Sequence, residues 1–262
     1  MKGSHSIQSQ SQSQSQLAGY SIEPFKNRHY NEVMFILGSG ASMEHYHECF
    51  FMMENAYSIG VNRIVKWFPC DYVITHHHEI IPEIQGYNEH YCNFFVSRYH
   101  RCEIKGEVPN HTGKDYYVYD HCNQGFSDTD FSPLDDEDFQ EGHPNHILTG
   151  GNTVINAIGL AVYMGAKNIV LVGCDGGSIN CQTNLNGYHP DTTGEKIQQH
   201  GHSVRSLALN MEVRHRLSKL GVSLVSLSPF LDLGLEGNKF WNHRPETDDP
   251  KFIELYNKYR LK

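Results

Sequence analysis

Short apolar runs alternate along this chain with longer stretches of helical periodicity. The clearest unit spans 146–177, where an apolar helical pattern over 154–164 ends at Gly165 and a five-residue apolar run follows at 169–173. That run is short and β-branched, as expected of a strand buried on both faces. Similar runs predict strands at 33–37, 71–75, 91–96, 116–119 and 222–227.

Helices are predicted between these strands at about 49–58, 153–164 and 204–220, the last of them ended by Gly221. Strands and helices in this alternation predict an α/β fold: a single Rossmann-like domain with a mostly parallel sheet and helices on both faces. A polar stretch without periodicity at 178–199 is long for a loop inside a compact domain, which predicts a lid-like loop.

The first 18 residues are a Ser/Gln repeat with almost no apolar surface to bury, so we expect a disordered tail at 1–18 and one folded domain over 19–262. A formal net charge of −9 argues against nonspecific binding to a nucleic-acid backbone. Seven cysteines without a CxxC pair argue against a disulfide framework or a zinc ribbon. Since the chain also shows neither a signal-peptide core nor a transmembrane segment, we expect a cytoplasmic protein, with peripheral attachment to an inner membrane left open.

Three groups of small or polar residues follow predicted strands, where ligands of doubly wound folds bind. The turn Gly38-Ser39-Gly40-Ala41-Ser42 would let backbone N–H groups approach phosphate or ribose, but it has neither the GxGxxG spacing nor the Walker lysine. The run Thr75-His76-His77-His78-Glu79 ends the second strand. Successive side chains of a strand alternate faces, so this run alone predicts no metal site. Cys174-Asp175-Gly176-Gly177 ends the strand at 169–173.

His202 precedes the predicted helix at 204–220 and lies beside the lid-like loop. A helix N-terminus favours the neutral imidazole, so His202 could act as a base near neutral pH. Alternatively, His202 and Ser203 merely cap the helix, and position alone does not separate the two interpretations.

The order of these motifs resembles the bacterial sialyltransferases of glycosyltransferase family 42, which act on lipooligosaccharide. It is also similar to the related clan that includes the 6-hydroxymethylpterin pyrophosphokinase-like proteins. The resemblance covers about residues 32–230. The matching segments are Gly38 to Ser42 for the family's G-x-G-x-S turn, Tyr72 to His76 for its nucleotide-binding strand, Leu148-Thr149-Gly150 for its T-S-G loop, Gly173-Cys174-Asp175 for its G-x-D, and Gly201-His202-Ser203 for its G-H-S.

Two positions depart from the family pattern. The arginine associated with sialic-acid recognition is replaced by His146, and the aromatic residue expected to contact phosphate is replaced by Gly177. Tyr188, in the lid-like loop, is the candidate substitute. The nucleotide pocket is therefore better matched than the donor sugar.

The resemblance implies an inverting glycosyltransferase that moves a sugar from a CMP-sialic-acid-like donor to a saccharide acceptor, with His202 as the base. The implied nucleotide- and donor-binding residues are Gly38, Ser39, Gly40, Ser42, Thr75, His76, Thr149, Gly150, Gly151, Asn152, Asp175, Gly176 and Tyr188. A CMP leaving group has one phosphate, so no cofactor is required. The alternatives are a Mg²⁺-dependent pyrophosphokinase of the pterin type and a noncatalytic nucleotide- or glycan-binding relative; the oligomeric state, a homo-oligomer included, stays open.

Overall fold

The computed structural model describes residues 20–47, 54–85, 93–97, 116–121, 146–147, 152–175, 184–188 and 213–227. In these ranges the strands are β1 (Tyr20–Ser21), β2 (Val33–Leu37), β3 (Ala56–Val61), β4 (Tyr72–Thr75), β5 (Asn93–Ser97), β6 (Tyr116–His121), β7 (His146–Ile147), β8 (Asn168–Val172) and β9 (Ser223–Ser226). The α-helices are α1 (Ile81–Gln85) and α2 (Thr153–Tyr163), and 213–219 is also helical. Short 3₁₀ helices lie at Glu23–Phe25, Ala41–His45, Asn62–Lys66 and His78–Ile80.

The described strands form one parallel sheet in the order β1-β6-β5-β4-β3-β2-β8-β9, and β7 also pairs with β6. In the middle of the sheet, Phe35 of β2 lies in register with Ser58 of β3 and Val170 of β8. The prediction of a Rossmann-like α/β fold is confirmed.

Strand β2 shows why apolar runs form this sheet. Met34 and Ile36 point into the core beneath α2, which we call the α2 face, whereas Phe35 and Leu37 point into a second core on the opposite face. All four side chains are at least 95% buried. A strand covered on both sides must be apolar at successive positions, and burying each such side chain contributes roughly 1.5–3 kcal/mol.

The chain changes direction in the sheet next to β2. From β2 it proceeds outward through β3, β4, β5 and β6. Helix α2 then returns across β4, β3 and β2, so that β8 pairs with the other side of β2. The boundary between β2 and β8 is therefore the topological switch point, where open α/β sheets bind ligands beyond the strand carboxyl ends.

The far end of α2 is held by the segment before β2. The backbone N–H groups of Asn27, His29 and Asn31 donate to the carbonyls of Tyr163, Met164 and Gly165. The last carbonyl groups of a helix have no hydrogen-bond donor within the helix. These three bonds supply the donors that the buried carbonyls at this end of α2 would otherwise lack. Gly165 adopts φ +86°, as predicted for the residue that ends the helix.

The predicted helix at 49–58 is wrong at its carboxyl end. Ala56–Val61 is strand β3, paired on one side with β2 and on the other with β4. Ile59 points into the α2 face, whereas a Cβ atom at the next position, Gly60, would meet Cys70 and Ile64 of the second core. A short apolar run fits a helix or a strand equally well, and the two neighbouring strands decide between them.

Several other predictions are tested only in part. Residues 213–219 are helical as predicted, whereas 204–212, the tail at 1–18 and the lid-like loop other than 184–188 lie outside the described residues. Among the described residues, every helix is too short or too polar to cross a lipid bilayer.

Candidate functional site at the carboxyl edge of the sheet

The turns that follow β2 and β8 lie in direct backbone contact. The N–H of Gly38 donates to Val172 O at 2.7 Å, and the N–H of Gly40 donates to Gly173 O at 2.7 Å. A Cβ atom at Gly38 would collide with the carbonyl of Gly173, and one at Gly40 would collide with the Asp175 carboxylate. The glycines are therefore needed so that the two turns can approach each other.

This contact corrects one expectation. We expected the amides of the glycine turn to bind phosphate, but those of Gly38 and Gly40 already donate to carbonyls of β8 and its turn. An N–H group has one proton to donate, so these two amides are not available to a ligand.

Ser42 and Asp175 form the polar centre of this contact. The Asp175 carboxylate accepts from the Ser42 N–H at 2.8 Å and from the Ser42 hydroxyl. Asp175 is 2% exposed and Ser42 is 3% exposed. Because Ser42 lies in the 3₁₀ helix Ala41–His45, the carboxylate fixes that helix against the turn after β8.

Residues 184–188 lie across the glycine turn. The Leu185 N–H donates to Ser39 O at 2.8 Å, and the Ser39 hydroxyl donates to Asn184 Oδ1 at 3.1 Å. Tyr188 is buried, stacks on Trp67 and has its hydroxyl beside Ser39. Burial raises the pKa of Tyr188, so its phenol stays neutral at physiological pH. The described part of the lid-like loop thus contacts the first motif, and the role of Tyr188 in contacting a phosphate stays a prediction.

A second polar group lies at the carboxyl end of β4. The Thr75 hydroxyl donates to Asn62 Oδ1 at 2.9 Å and accepts from the His77 N–H at 2.9 Å, which bends the chain directly after the strand. His76 is 8% exposed, and its Nε2 lies 3.2 Å from the Thr153 hydroxyl in the first turn of α2.

Asn156 extends this group into the α2 face. Its Nδ2 donates to the Tyr119 hydroxyl at 3.1 Å and lies 3.5 Å from His76 Nδ1. The Tyr119 hydroxyl in turn donates to Thr75 O at 3.4 Å. Neither Asn156 nor Tyr119 was predicted as a site residue. A polar residue within an apolar helical pattern, such as Asn156, gives no local signal of what it will face.

The three adjacent histidines do not alternate as they would on a continuing strand. The bend brings Nε2 of His76 within 3.0 Å of Nε2 of His77, and Nδ1 of His77 lies 3.2 Å from Glu79 Oε1. His78 points elsewhere and donates through Nε2 to Ser97 O at 2.7 Å. His77 and Glu79 therefore lie beside the predicted site residue His76.

Asn152, predicted to bind the donor, is the N-cap of α2. Its Oδ1 accepts from the Ile155 N–H at 3.0 Å. The neighbouring predicted residues Thr149, Gly150 and Gly151 lie outside the described residues, as do Gly176 and the predicted base His202.

The two polar groups share one edge of the sheet. One follows β2 and β8, the other follows β4, and only β3 separates β2 from β4. Two inter-strand spacings correspond to about 10 Å, a distance that one nucleotide can bridge.

No family model matches this chain, and no curated protein matches its sequence. The fold and the polar carboxyl edge are therefore the basis for assigning a function.

Proposed function

We propose that this protein is a nucleotide-sugar-dependent glycosyltransferase of the inverting type, with its donor bound at the carboxyl edge of the sheet. The observation that carries the proposal is the switch point between β2 and β8, where Ser42 and Asp175 join two of the motifs. Doubly wound folds bind their nucleotides beyond the strand ends at this place. The order of motifs along the chain supports a CMP-type donor.

The donor-binding residues divide into two kinds. Asp175, Ser42, Gly38 and Gly40 hold the turns together, so their contribution is to position the site. The groups assigned to the ligand are the side chains of Ser39 and His76 and the small-residue loop that leads into α2. Loop amides before a helix stabilise the negative charge of a leaving phosphate.

The proposed reaction needs one base and no redox partner. His202 accepts the proton of an acceptor hydroxyl while the hydroxyl oxygen forms a bond to the anomeric carbon. The bond from that carbon to the nucleotide phosphate breaks, and the phosphate oxygen keeps the electron pair. The products are a glycoside with inverted configuration, a nucleoside monophosphate and a protonated histidine.

Calorimetry with CMP, CDP, UDP and ATP, each with and without Mg²⁺, tests the nucleotide assignment. The proposal expects saturable binding of CMP without metal. Binding of ATP that requires Mg²⁺ would instead identify the pyrophosphokinase alternative. A transfer assay with nucleotide-sugar donors and a panel of saccharide acceptors then separates an enzyme from a protein that binds nucleotide without turnover.

The proposal places the enzyme in a reducing compartment such as the cytoplasm, which its cysteine usage supports. Cys70 and Cys174, the two cysteines among the described residues, are both buried thiols rather than half of a disulfide. Localisation of a tagged chain by fractionation tests this placement.

A further inference from the structure

The turn after β3 lies between the two polar groups of the carboxyl edge. β3 ends at Val61, and the 3₁₀ helix Asn62–Lys66 follows at once. Asn62 adopts φ +55°, a left-handed conformation in which asparagine is enriched. Its Oδ1 accepts from the Thr75 hydroxyl at 2.9 Å. The turn is therefore fixed to the end of β4, and the next residue, Arg63, follows from a defined position.

Arg63 also adjoins the first polar group. The Tyr188 hydroxyl lies beside both the Ser39 side chain and the Arg63 backbone, within electrostatic reach of the Arg63 guanidinium. The Ser39 side chain is one of the groups assigned to the donor. Arg63 therefore belongs to the edge at which the proposed donor binds, although no sequence motif pointed to it.

Glu83 holds the guanidinium of Arg63 by a single N–H. Arg63 Nε donates to Glu83 Oε2 at 2.7 Å, and Lys66 Nζ donates to Glu83 Oε1 at 2.7 Å. The bonds from Lys66 and Arg63 lower the pKa of Glu83, so its carboxylate is ionised at physiological pH. A guanidinium has five N–H donors. Among the residues that the structure describes, the four on Nη1 and Nη2 of Arg63 have no acceptor, and the side chain is 26% exposed.

The cluster Arg63–Lys66–Glu83 has two positive charges and one negative charge. The chain as a whole has a formal net charge of −9, and the Asp175 carboxylate lies at the switch point. A ligand with several negative groups is repelled by such a protein unless cations lie where it binds. A guanidinium suits this task, because its planar fork donates two parallel hydrogen bonds to a carboxylate or a phosphate.

We propose that Arg63 binds an anionic group of the donor beyond the phosphate of the nucleoside monophosphate, and that it thereby selects the donor. Two groups have this chemistry: the carboxylate of an acidic sugar and the second phosphate of a nucleoside diphosphate. Glu83 orients the guanidinium through Nε, and Nη1 and Nη2 donate to the ligand oxygens. Lys66 offsets the charge of Glu83. This role rests on the proposed function, because it requires a nucleotide donor at this edge.

Calorimetry with the full chain and three probes, CMP, CDP and CMP-sialic acid, tests the role of Arg63 in the absence of an acceptor. In Arg63→Gln, the affinity for the probe with the recognised group should fall about 10- to 100-fold, since a charged hydrogen-bond donor is lost. CMP affinity should change less than about threefold. A loss with CDP identifies the second phosphate, a loss with CMP-sialic acid identifies the carboxylate, and a loss with both shows that the guanidinium accepts either.

Glu83→Gln distinguishes recognition of the ligand from a purely structural ion pair. Glutamine keeps an oxygen acceptor for Arg63 Nε and removes a negative charge, so the same probe should bind at least as tightly as to the wild type. If Arg63 acted only by bracing α1 through Glu83, this variant would weaken binding as much as Arg63→Gln. Arg28→Gln is the matched control, because it removes an exposed guanidinium before β2, at the opposite edge of the sheet. It should bind all three probes like the wild type.

Melting temperatures show that the variants remain folded. A partly exposed ion pair contributes little to stability, so Arg63→Gln should melt close to the wild type. Arg63→Lys keeps the charge without the fork and should show a smaller loss of affinity for the same probe. If CMP binds to the wild type but Arg63→Gln and Arg63→Lys change none of the three affinities, or all three equally, the role of Arg63 is overturned and the proposed function stands. If none of the probes binds to the wild type, both fail.

Discussion

Ser42 and Asp175 are 133 residues apart in the sequence and share two hydrogen bonds at the centre of the switch point. One carboxylate thereby connects the turn after β2 with the turn after β8. Both residues are almost completely buried, so the pair orders the two turns from the inside. The first two predictions follow from this relationship.

Asp175→Ala should lower the free energy of unfolding by roughly 1.5–3 kcal/mol, because it removes a charged acceptor from a buried N–H and a buried hydroxyl. Ser42→Ala removes only the hydroxyl bond and should cost less. Denaturant unfolding of both variants and of the double variant gives the coupling energy. Strictly additive losses would show that the two side chains do not act together.

Gly40→Ala should destabilise the protein by about 1–3 kcal/mol for steric reasons alone. Gly40 has φ −64°, which alanine adopts readily, but its Cβ would lie 2.7 Å from Gly173 O and closer still to the Asp175 carboxylate. Gly187 is the matched contrast, because it has open space but φ +78°. Asparagine tolerates that φ, so Gly187→Asn should be nearly neutral in the same unfolding assay, whereas Gly40→Asn should be at least as harmful as Gly40→Ala.

Tyr72 should make the protein sensitive to alkaline pH. Its hydroxyl donates to His29 Nε2 at 2.6 Å, while Nδ1 of His29 donates to Glu32 at 2.7 Å. Burial raises the pKa of Tyr72 to about 12, whereas the unfolded chain loses this proton near pH 10. Between these values the unfolded state binds fewer protons, so the free energy of unfolding falls as pH rises from about 10 to about 12.

Tyr72→Phe isolates this contribution from that of the other tyrosines. The variant should lose about 1 kcal/mol at pH 8, where the hydrogen bond is missing, and its stability should fall less steeply above pH 10. Unfolding by urea at several pH values between 8 and 11.5 measures both effects. Parallel curves for the wild type and the variant would show that Tyr72 does not titrate in this way.

Asn152→Ala should cost about 1 kcal/mol of stability, because Asn152 caps α2 through the Ile155 N–H. Asn152→Ser retains a capping oxygen and should restore most of that loss. CMP affinity, measured together with the melting temperature, distinguishes a capping role of Asn152 from a direct contact with the nucleotide. If Asn152→Ser restores stability but not affinity, the amide also contacts the nucleotide.

His202 lies outside the described residues, and its assignment as the base remains a prediction. His202→Ala should lower turnover by roughly a hundredfold or more, the scale of a lost general base, with little change in CMP affinity. His200→Ala should be mild and is the control. A His202→Ala protein that melts earlier but turns over at the normal rate would show that this histidine only caps the helix.

The sequence by itself determined the positions of most strands and the limits of α2. Apolar runs predicted β2, β4, β8 and β9 to within one residue at each end, because burial on both faces requires uninterrupted apolar residues. The end of α2 could also be predicted from a single residue, because Gly165 supplies the positive φ that terminates the helix.

Three features were decided only by the tertiary structure. They are that residues 56–61 form a strand, that the amides of Gly38 and Gly40 donate within the protein, and that the imidazoles of His76 and His77 lie close together. β3 is a strand because β2 and β4 supply hydrogen-bond partners on both sides, and no local pattern contains that information. The amides of Gly38 and Gly40 are taken by Val172 and Gly173, which lie more than 130 residues away in the chain. The histidines converge because Thr75 bends the backbone where the strand ends, so the alternation of side chains does not continue into the histidines.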